Sequence, residues 1–178
     1  MTEKIDGCSA TFALVRHKRW LLKDQFEYIV CSRNLRLPVH DGSIYYQVSD
    51  KYQMEKTLRN MIGNKEWIAI QGECIGHKIQ GNKYHVTEPQ FFVFNVITPY
   101  GRMGSVDARN FVGTRGLNFV PILDANYTLP DTVQDMIEYA HGTSELYDTL
   151  REGVVVRSLD GKQSFKAVDP QFLLKHNE

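Results

Sequence analysis

The sequence contains few cysteines and no long apolar run. Each of these shortages argues against a particular class of protein. Its three cysteines, Cys8, Cys31 and Cys74, stand far apart and form no Cys-x-x-Cys pair. This spacing argues against a zinc site and a disulfide-rich fold, and predicts small buried residues in a reducing compartment. No stretch of ~18 or more apolar residues occurs, so no membrane span is expected. The N-terminus has no basic-then-apolar signal pattern, and we therefore expect an intracellular protein, cytoplasmic, nuclear or encoded by a virus.

The sequence also has no net charge, because 21 lysines and arginines balance 21 aspartates and glutamates. Proteins that bind phosphate backbones without further chemistry are often strongly basic, so neutrality argues against a stand-alone nucleic-acid binder. It is compatible with an enzyme that has a local charged site. Repeats, low-complexity segments and Pro/Ser-rich linkers are absent too, and 178 residues suffice for one domain with its own core.

Apolar patterns predict a mixture of short strands and helices without a strict βαβ alternation. The predicted strands are 9–16, 26–32, 67–74, 91–98, 154–157 and 165–168, the last two joined by a turn at Asp160-Gly161. The predicted helices are 50–62 with Ser49 as its N-cap, 106–112, 132–140 and 171–175. This order predicts an α+β domain of antiparallel sheets with helices packed outside them.

A lysine stands near the start of the chain, in Glu3-Lys4-Ile5-Asp6-Gly7. The Asp6-Gly7 pair predicts a tight turn that aims the Lys4 amine into a cleft. A lysine amine at its free pKa of ~10.4 is mostly protonated, and must lose a proton before it attacks phosphorus. Taken alone, the pentapeptide is also typical of surface turns, so its meaning depends on the rest of the chain.

Two features in the middle of the chain suit a bound nucleotide. Glu73 follows an apolar strand and a glycine, so it lies at a strand end where a carboxylate can bind a ribose hydroxyl. The segment Phe91-Phe92-Val93-Phe94 places aromatic rings on both faces of a strand. One such ring on a pocket face could stack on a purine, at roughly 1–3 kcal/mol per stacked base, while the others pack in the core.

Charged residues at the end of the chain suit phosphate and metal chemistry. Glu152 and Arg157 flank a predicted buried strand, and Glu152 offers a hard oxygen ligand for a divalent metal. Lys166 follows on the next strand, where its charge could stabilise a phosphoryl transition state. Each of these residues alone is equally compatible with a surface ion pair. Their common order along the chain is harder to explain by chance.

Taken together, these segments resemble the ATP-dependent RNA ligases of the covalent nucleotidyltransferase superfamily, and among them the Deinococcus/Naegleria type. The resemblance covers essentially the whole chain. It is carried by Glu3-Lys4-Ile5-Asp6-Gly7, Cys31-Ser32-Arg33-Asn34-Leu35-Arg36-Leu37, Gln71-Gly72-Glu73-Cys74-Ile75-Gly76, Ile79-Gln80-Gly81-Asn82, Phe91-Phe92-Val93-Phe94, Glu152-Gly153-Val154-Val155-Val156-Arg157 and Ser164-Phe165-Lys166-Ala167. It implies a nucleotidyltransferase fold (the ATP-grasp-like DNA/RNA ligase fold), with antiparallel sheets flanked by helices around a nucleotide cleft.

The resemblance implies a role for each matching residue. Lys4 is then the adenylated nucleophile, and Lys166 contacts the α-phosphate. Arg33 contacts the sugar, a phosphate or the RNA 5′-phosphate end. Around the nucleoside the implied contacts are Glu73 to the ribose hydroxyl, Phe94 stacked on adenine, Glu3 at the adenine amino group and Gly7 in the turn after the nucleophile. Glu152 helps to place a Mg²⁺ or Mn²⁺ ion.

The implied activity is ATP-dependent joining of RNA ends in RNA repair, through lysyl-AMP and AMP transfer to an RNA 5′-phosphate. We expect a monomer that acts on a 5′-phosphate and a 3′-hydroxyl, including those of a nicked duplex, without a membrane partner. Some relatives carry two lysines in the last motif, at the positions of Ser164 and Lys166, whereas only Lys166 is present here. Relatives also have a strand and usually an OB-like domain before the nucleophile. The expectation is therefore that residues 1–178 are a nucleotidyltransferase domain truncated at its N-terminus, without an OB domain.

Three alternatives remain open at this point. The chain could be another member of the superfamily, a DNA ligase or a capping guanylyltransferase, or a non-catalytic remnant that binds nucleotide or RNA without turnover. A metal hydrolase that uses the six histidines is the weakest alternative, because no His-x-His or His-Glu-x-x-His spacing occurs.

Overall fold

The computed structural model describes residues 1–158 and 162–176, so the turn predicted at Asp160-Gly161 lies outside the described residues. The strands are β1 (Thr2–Lys4), β2 (Cys8–His17), β3 (Gln25–Cys31), β4 (Trp67–Ile75), β5 (Gln90–Thr98), β6 (Gly101–Arg102), β7 (Asn118–Phe119), β8 (Gly153–Arg157) and β9 (Ser164–Val168). The helices are α1 (Ile44–Lys51), α2 (Met54–Ile62), α3 (Ser105–Gly113), α4 (Val133–Ala140) and α5 (Pro170–His176), and a short 3-10 turn spans Gln80–Asn82.

The strands form two sheets. The larger has six strands in the order β3-β2-β4-β5-β6, with β7 added in parallel beside β5. The smaller has three strands in the order β1-β8-β9, all antiparallel. The predicted α+β class with antiparallel sheets and external helices is therefore confirmed. The small sheet joins the first strand of the chain to its last two, a pairing across more than a hundred residues.

The main core lies between one face of the large sheet and helices α1 to α3. Strand β2 shows why: Ala10, Phe12 and Leu14 alternate along it and are fully buried. An alternating strand buries one face and leaves the other for a second layer. The rings of Phe12 and Phe91 meet edge to face with centroids 5.2 Å apart, an arrangement that aromatic pairs favour.

Two smaller cores attach the three-stranded sheet to the rest of the molecule. Ile5, Ile75, Phe92 and Val120 form part of a cluster between the end of β1 and the second face of the large sheet. The other cluster packs α4 on β8 through Met136, Ala140, Val154 and Val156. As a consequence, one face of the small sheet is covered by α4, and the opposite face meets the large sheet near Lys4.

The helix predicted at 50–62 is wrong in its first half. Helix α1 begins earlier and ends at Lys51, and Gln53 has φ 45°, a left-handed conformation that interrupts the chain before α2. Ser49 is not an N-cap. It is buried inside α1, and its hydroxyl shares a 2.7 Å hydrogen bond with that of Tyr28. The apolar spacing predicts α2 correctly. It does not reveal the break before α2, because a single left-handed residue produces that break.

Two of the cysteines that are distant in sequence lie opposite each other. Cys8 on β2 pairs with Cys74 on β4 in the strand register, and all three cysteines are free thiols. Only Cys74 is fully buried, whereas Cys8 and Cys31 are half-buried. None of the helices in the described part of the chain has the length and apolar character that a membrane crossing requires.

Candidate active site

A cleft of about 150 Å³ opens where the two sheets meet. Both sheets contribute to its walls. It is lined by Thr2, Glu3, Lys4 and Ile5 from the first strand and its end, Glu73 and Phe94 from the large sheet, Val120, and Val155 and Arg157 from β8. The cleft therefore brings together four of the residues that the sequence predicts for nucleotide chemistry, from segments as distant as β1 and β5.

Lys4 reaches this cleft from the last position of β1. Its amine forms an ion pair with the Glu152 carboxylate, and both side chains are largely enclosed, with 19% and 12% of their surfaces exposed. Lys4 lies opposite Gly153 in the register of β1 and β8, and Glu152 is the residue that precedes this partner in the chain. The contact places an amine and a carboxylate together at a partly desolvated position.

The turn after Lys4 is held by buried contacts. The Asp6 carboxylate pairs with the Lys83 amine at 2.7 Å, and the Asp6 backbone N–H donates to the Tyr84 hydroxyl at 2.7 Å. Gly7 presses against β4 so closely that a Cβ there would lie 2.4 Å from the Cys74 carbonyl oxygen and 2.9 Å from Cγ of Glu73. Only glycine permits this approach. The turn is thus fixed directly beside Glu73.

Glu73 is a mostly buried carboxyl group in the cleft wall. Burial raises its pKa to about 8, and Lys4 opposes this shift only in part. A carboxyl group that titrates near neutrality both donates and accepts hydrogen bonds in that range. Glu73 is therefore suited to a hydroxyl partner, which can also act in either sense.

A β-bulge aims Phe94 into the cleft. In the β4–β5 register Gly72 pairs with Val93 and Gln71 with Asn95, so Phe94 is the extra residue between them. Bulges of this kind re-aim side chains and often lie beside functional sites. The neighbouring rings behave as expected for the core, because Phe91 and Phe92 are buried on the two sides of the sheet.

Five cleft residues were not assigned a role by the sequence, namely Thr2, Ile5, Val120, Val155 and Arg157. Val155 belongs to the small sheet and Phe94 to the large one, and Thr2 lies opposite Val155 in the strand register. Arg157 donates to the Thr2 hydroxyl at 3.0 Å, and burial, with a smaller contribution from Arg102, lowers its pKa to about 10. The period-2 alternation of the Gly153–Arg157 strand was the available signal, since Val155 and Arg157 share the face that Lys4 occupies.

Glu152 is the predicted metal ligand, and the charges of Lys4 and Asp6 act on its pKa in opposite senses. Burial raises its pKa, while Lys4 lowers it. Within residues 1–158 and 162–176 no group of three or more His, Cys, Asp or Glu side chains could hold a metal ion. A site with fewer than three such ligands fits Mg²⁺ or Mn²⁺ only where phosphate oxygens and water complete the coordination shell.

Lys166 does not line the cleft wall, but it lies on the face of the small sheet that also carries Lys4. It lies opposite Val155, which itself lies opposite Thr2. Directly opposed residues of antiparallel strands point to the same face. Lys166 is exposed, and its charge lowers the pKa of Glu152. The side chain is thus an exposed cation at the edge of the site.

Arg33, Glu3 and Gly7 are not brought to the open cleft in the predicted manner. Arg33 is exposed on the turn after β3, two strands away from Glu73, which corresponds to roughly 10 Å. The Glu3 carboxylate points away, toward Ser144 and Glu145, and burial raises its pKa. Gly7 packs on β4. A nucleotide contact of Arg33 or Gly7 stays a prediction, and one of Glu3 would have to come from its main chain.

Comparison with known proteins places this cleft in a family. The family model described as RNA ligase matches residues 1–169. Solved structures of Naegleria gruberi RNA ligase are similar over 99% of this chain at 28% identity, with a TM-score of 0.80 for the form with PPi and 0.83 for variants with ATP and Mn and with AMP and Mn. This chain covers 50% to 51% of the length of those chains. No curated protein matches the sequence.

The match extends from the Lys4 strand to the residue after β9, and so includes every segment that forms the cleft. The chain therefore belongs to the RNA ligase family.

Proposed function

We propose that this chain is the nucleotidyltransferase domain of an ATP-dependent RNA ligase, and that Lys4 is its adenylated nucleophile. The observation that carries the proposal is the enclosure of the Lys4 amine in one cleft with Glu73 and Phe94, in contact with Glu152. A lysine in an ordinary surface turn would not be enclosed by residues of two different sheets. The match with ligases that bind ATP, AMP or PPi supports the same function.

The walls of the cleft suggest how ATP binds. The adenine ring would lie between Phe94 on one sheet and Val155 on the other, since both line the cleft and they belong to different sheets. Glu73 would bind a ribose hydroxyl, with Lys166 and Arg33 near the phosphates. The triphosphate would then extend past Lys4, toward Glu152 and the exposed edge of the small sheet.

In the first step the Lys4 amine attacks the α-phosphorus of ATP. A P–N bond forms, the bond between the α-phosphorus and the bridging oxygen breaks, and pyrophosphate leaves. The amine must first release its proton, and the Glu152 carboxylate in contact with it is the nearest acceptor. Lys166 would stabilise the negative charge that accumulates on the α-phosphate.

In the second step the RNA 5′-phosphate oxygen displaces Lys4, so that the P–N bond breaks and a P–O–P bond forms. In the third step the RNA 3′-hydroxyl attacks the 5′-phosphorus and AMP leaves. A divalent metal, when bound through Glu152 and phosphate oxygens, would neutralise phosphate charge during this chemistry. RNA ends, including those of a nicked duplex, are thus the proposed substrates, and RNA repair the proposed role.

Labelling with α-labelled ATP and Mg²⁺ or Mn²⁺ tests the proposal. We expect the wild-type protein to gain the mass of one AMP, in a bond that survives alkali and is cleaved by mild acid, as a phosphoramidate is. Lys4→Ala should remove the label. Lys78→Ala, which removes an exposed lysine outside the cleft, is the matched control and should keep it.

The same assay separates the alternatives. A label from GTP and none from ATP would indicate a capping guanylyltransferase. Joining of nicked DNA in preference to nicked RNA would indicate a DNA ligase. Binding of ATP without any covalent product in the wild-type protein would overturn the proposed chemistry and leave a nucleotide-binding module.

A further inference from the structure

A buried hydrogen-bonded network lies behind the strand that carries Lys4, on the side away from the cleft. Glu3 is only 1% exposed. Its carboxylate accepts hydrogen bonds from the Ser144 hydroxyl at 2.6 Å and from the Glu145 backbone N–H at 2.9 Å. Carboxylates are almost never this buried unless they are paired. The two bonds therefore fix the strand before Lys4 on the loop 143–150, which leads to Glu152.

The same loop also supports the chain after Lys4, through two tyrosines. The Tyr84 hydroxyl accepts the Asp6 backbone N–H at 2.7 Å, and the Tyr84 ring lies 5.1 Å from that of Tyr147. The Tyr147 hydroxyl donates to the Gln90 side chain at 2.9 Å, at the first residue of β5. Residues on both sides of the nucleophile are thus held by one loop.

We infer that Glu3 is a positioning residue for Lys4: through Ser144 and Glu145 it fixes the nucleophile strand on the loop that ends beside Glu152. This inference rests on the proposed function and extends it. Glu3 does not reach the cleft with its carboxylate, because successive strand residues point to opposite faces and Lys4 occupies the cleft face. Its influence on the reaction passes through the placement of the Lys4 amine.

The position of the Lys4 amine depends on how strand β1 is attached to its surroundings. Strand β1 has three residues and pairs with β8 on one side, while on the other side the Glu3 backbone N–H donates to the Pro121 carbonyl at 2.9 Å and Thr2 bridges to Ile122. These main-chain bonds join the strand to β8 and to residues 121 and 122. A displacement of about 1 Å at a reacting group can cost on the order of 100-fold in rate. The Glu3 side-chain contacts add an attachment to the loop that leads to Glu152.

Two variants weaken the hydrogen bond between Glu3 and Ser144, one on the accepting side and one on the donating side. Glu3→Gln keeps the size of the side chain but replaces one accepting oxygen by an NH₂ group, and Ser144→Ala removes one donor. We expect each to lower the rate of lysyl-AMP formation at saturating ATP by at least ~10-fold, with KM for ATP changed by less than about 3-fold. The double variant should be no slower than the slower single variant, because both remove one contact.

Glu145→Ala is the matched control. It removes an exposed carboxylate from the same loop but keeps the backbone N–H that Glu3 accepts. We expect its labelling rate to stay within about 2-fold of wild type. All rates are compared below the unfolding temperature of each variant, and Ser144→Ala serves as the second variant if Glu3→Gln does not fold.

A readout that needs no ATP chemistry separates this inference from the proposed function. In protein whose lysines are reductively ¹³C-methylated, the Lys4 resonance, assigned with Lys4→Arg, reports the environment of the amine. We expect Glu3→Gln to shift that resonance toward its position in Glu152→Gln, even if the wild-type protein takes no label. An unchanged resonance would overturn the positioning role. A raised KM for ATP at an unchanged maximal rate would also overturn it, since Glu3 would then contact the nucleotide.

Discussion

A carboxyl group that the fold removes from water makes stability depend on pH. Burial raises the pKa of Glu73 from 4.5 to about 8. Between these values the folded protein keeps a proton on Glu73 that the unfolded chain releases. Stability therefore falls as the pH rises through this window, and it falls no further above it. The group that suits a ribose hydroxyl thus lowers the stability of the fold at neutral pH.

Glu73→Gln should remove this dependence, because glutamine keeps the size of the side chain and does not titrate. Relative to wild type, the variant should gain stability as the pH rises from about 5 to about 8, by at most about 1.4 kcal/mol per pH unit. Urea denaturation of both proteins across this range measures the difference. A difference that stays constant with pH would show that Glu73 is not buried as described.

Gly153 is a second residue whose identity the structure explains. It has φ +154°, and a Cβ there would lie 2.1 Å from the carbonyl oxygen of Ala167 on β9. We expect Gly153→Ala to destabilise the protein by at least about 2 kcal/mol, because the β8–β9 pair must separate to accept the methyl group. Gly42→Ala is the control: it also has positive φ, at +71°, but no atom within 4 Å. Thermal unfolding should place the control much closer to wild type.

At the scale of elements, helix α4 depends on a side-chain cap. The Thr132 hydroxyl accepts the Asp135 backbone N–H at 3.1 Å, and the helix then packs on β8 and β9. Removal of an N-cap hydroxyl costs about 1 kcal/mol, which corresponds to roughly 2–4 °C in a chain of this size. Thr132→Ala should show this loss in a thermal melt, and Thr132→Ser should restore most of it. Equal losses in both variants would argue against the cap.

The sequence predicted the long strands accurately but missed the shortest strand of the site. The strands β2, β4 and β5 were predicted within about two residues, because each buries a continuous or alternating apolar set. Strand β1 was not predicted, since three residues are too few for a period and its partner β8 is about 150 residues away in sequence. The bulge that aims Phe94 is likewise a property of the β4–β5 pairing and is not visible in either strand alone.

At the scale of the whole molecule, the proposed nucleotide site spans two sheets, and a bound nucleotide should join them. A ligand that binds only the folded state adds about 2.7 kcal/mol at 100 times its Kd. We therefore expect AMP at that excess to raise the unfolding temperature by several degrees. Phe94→Ala, which removes one wall of the cleft, should abolish most of this shift at the same AMP concentration. A full shift in the variant would place the nucleotide elsewhere.

The sequence by itself determined the α+β class, the order of the chemically relevant residues and the position of Lys4 beside a turn, because apolar periodicity and local turn chemistry are encoded over short distances. Tertiary structure alone decided which of those residues share a cleft. In the folded chain Lys4 contacts Glu152, and Phe94, Val155 and Arg157 line the same cleft. The Glu3 carboxylate instead points toward Ser144. The reason is physical: which face of a strand a side chain occupies, and which distant strand it meets, depends on register between segments that local sequence does not encode.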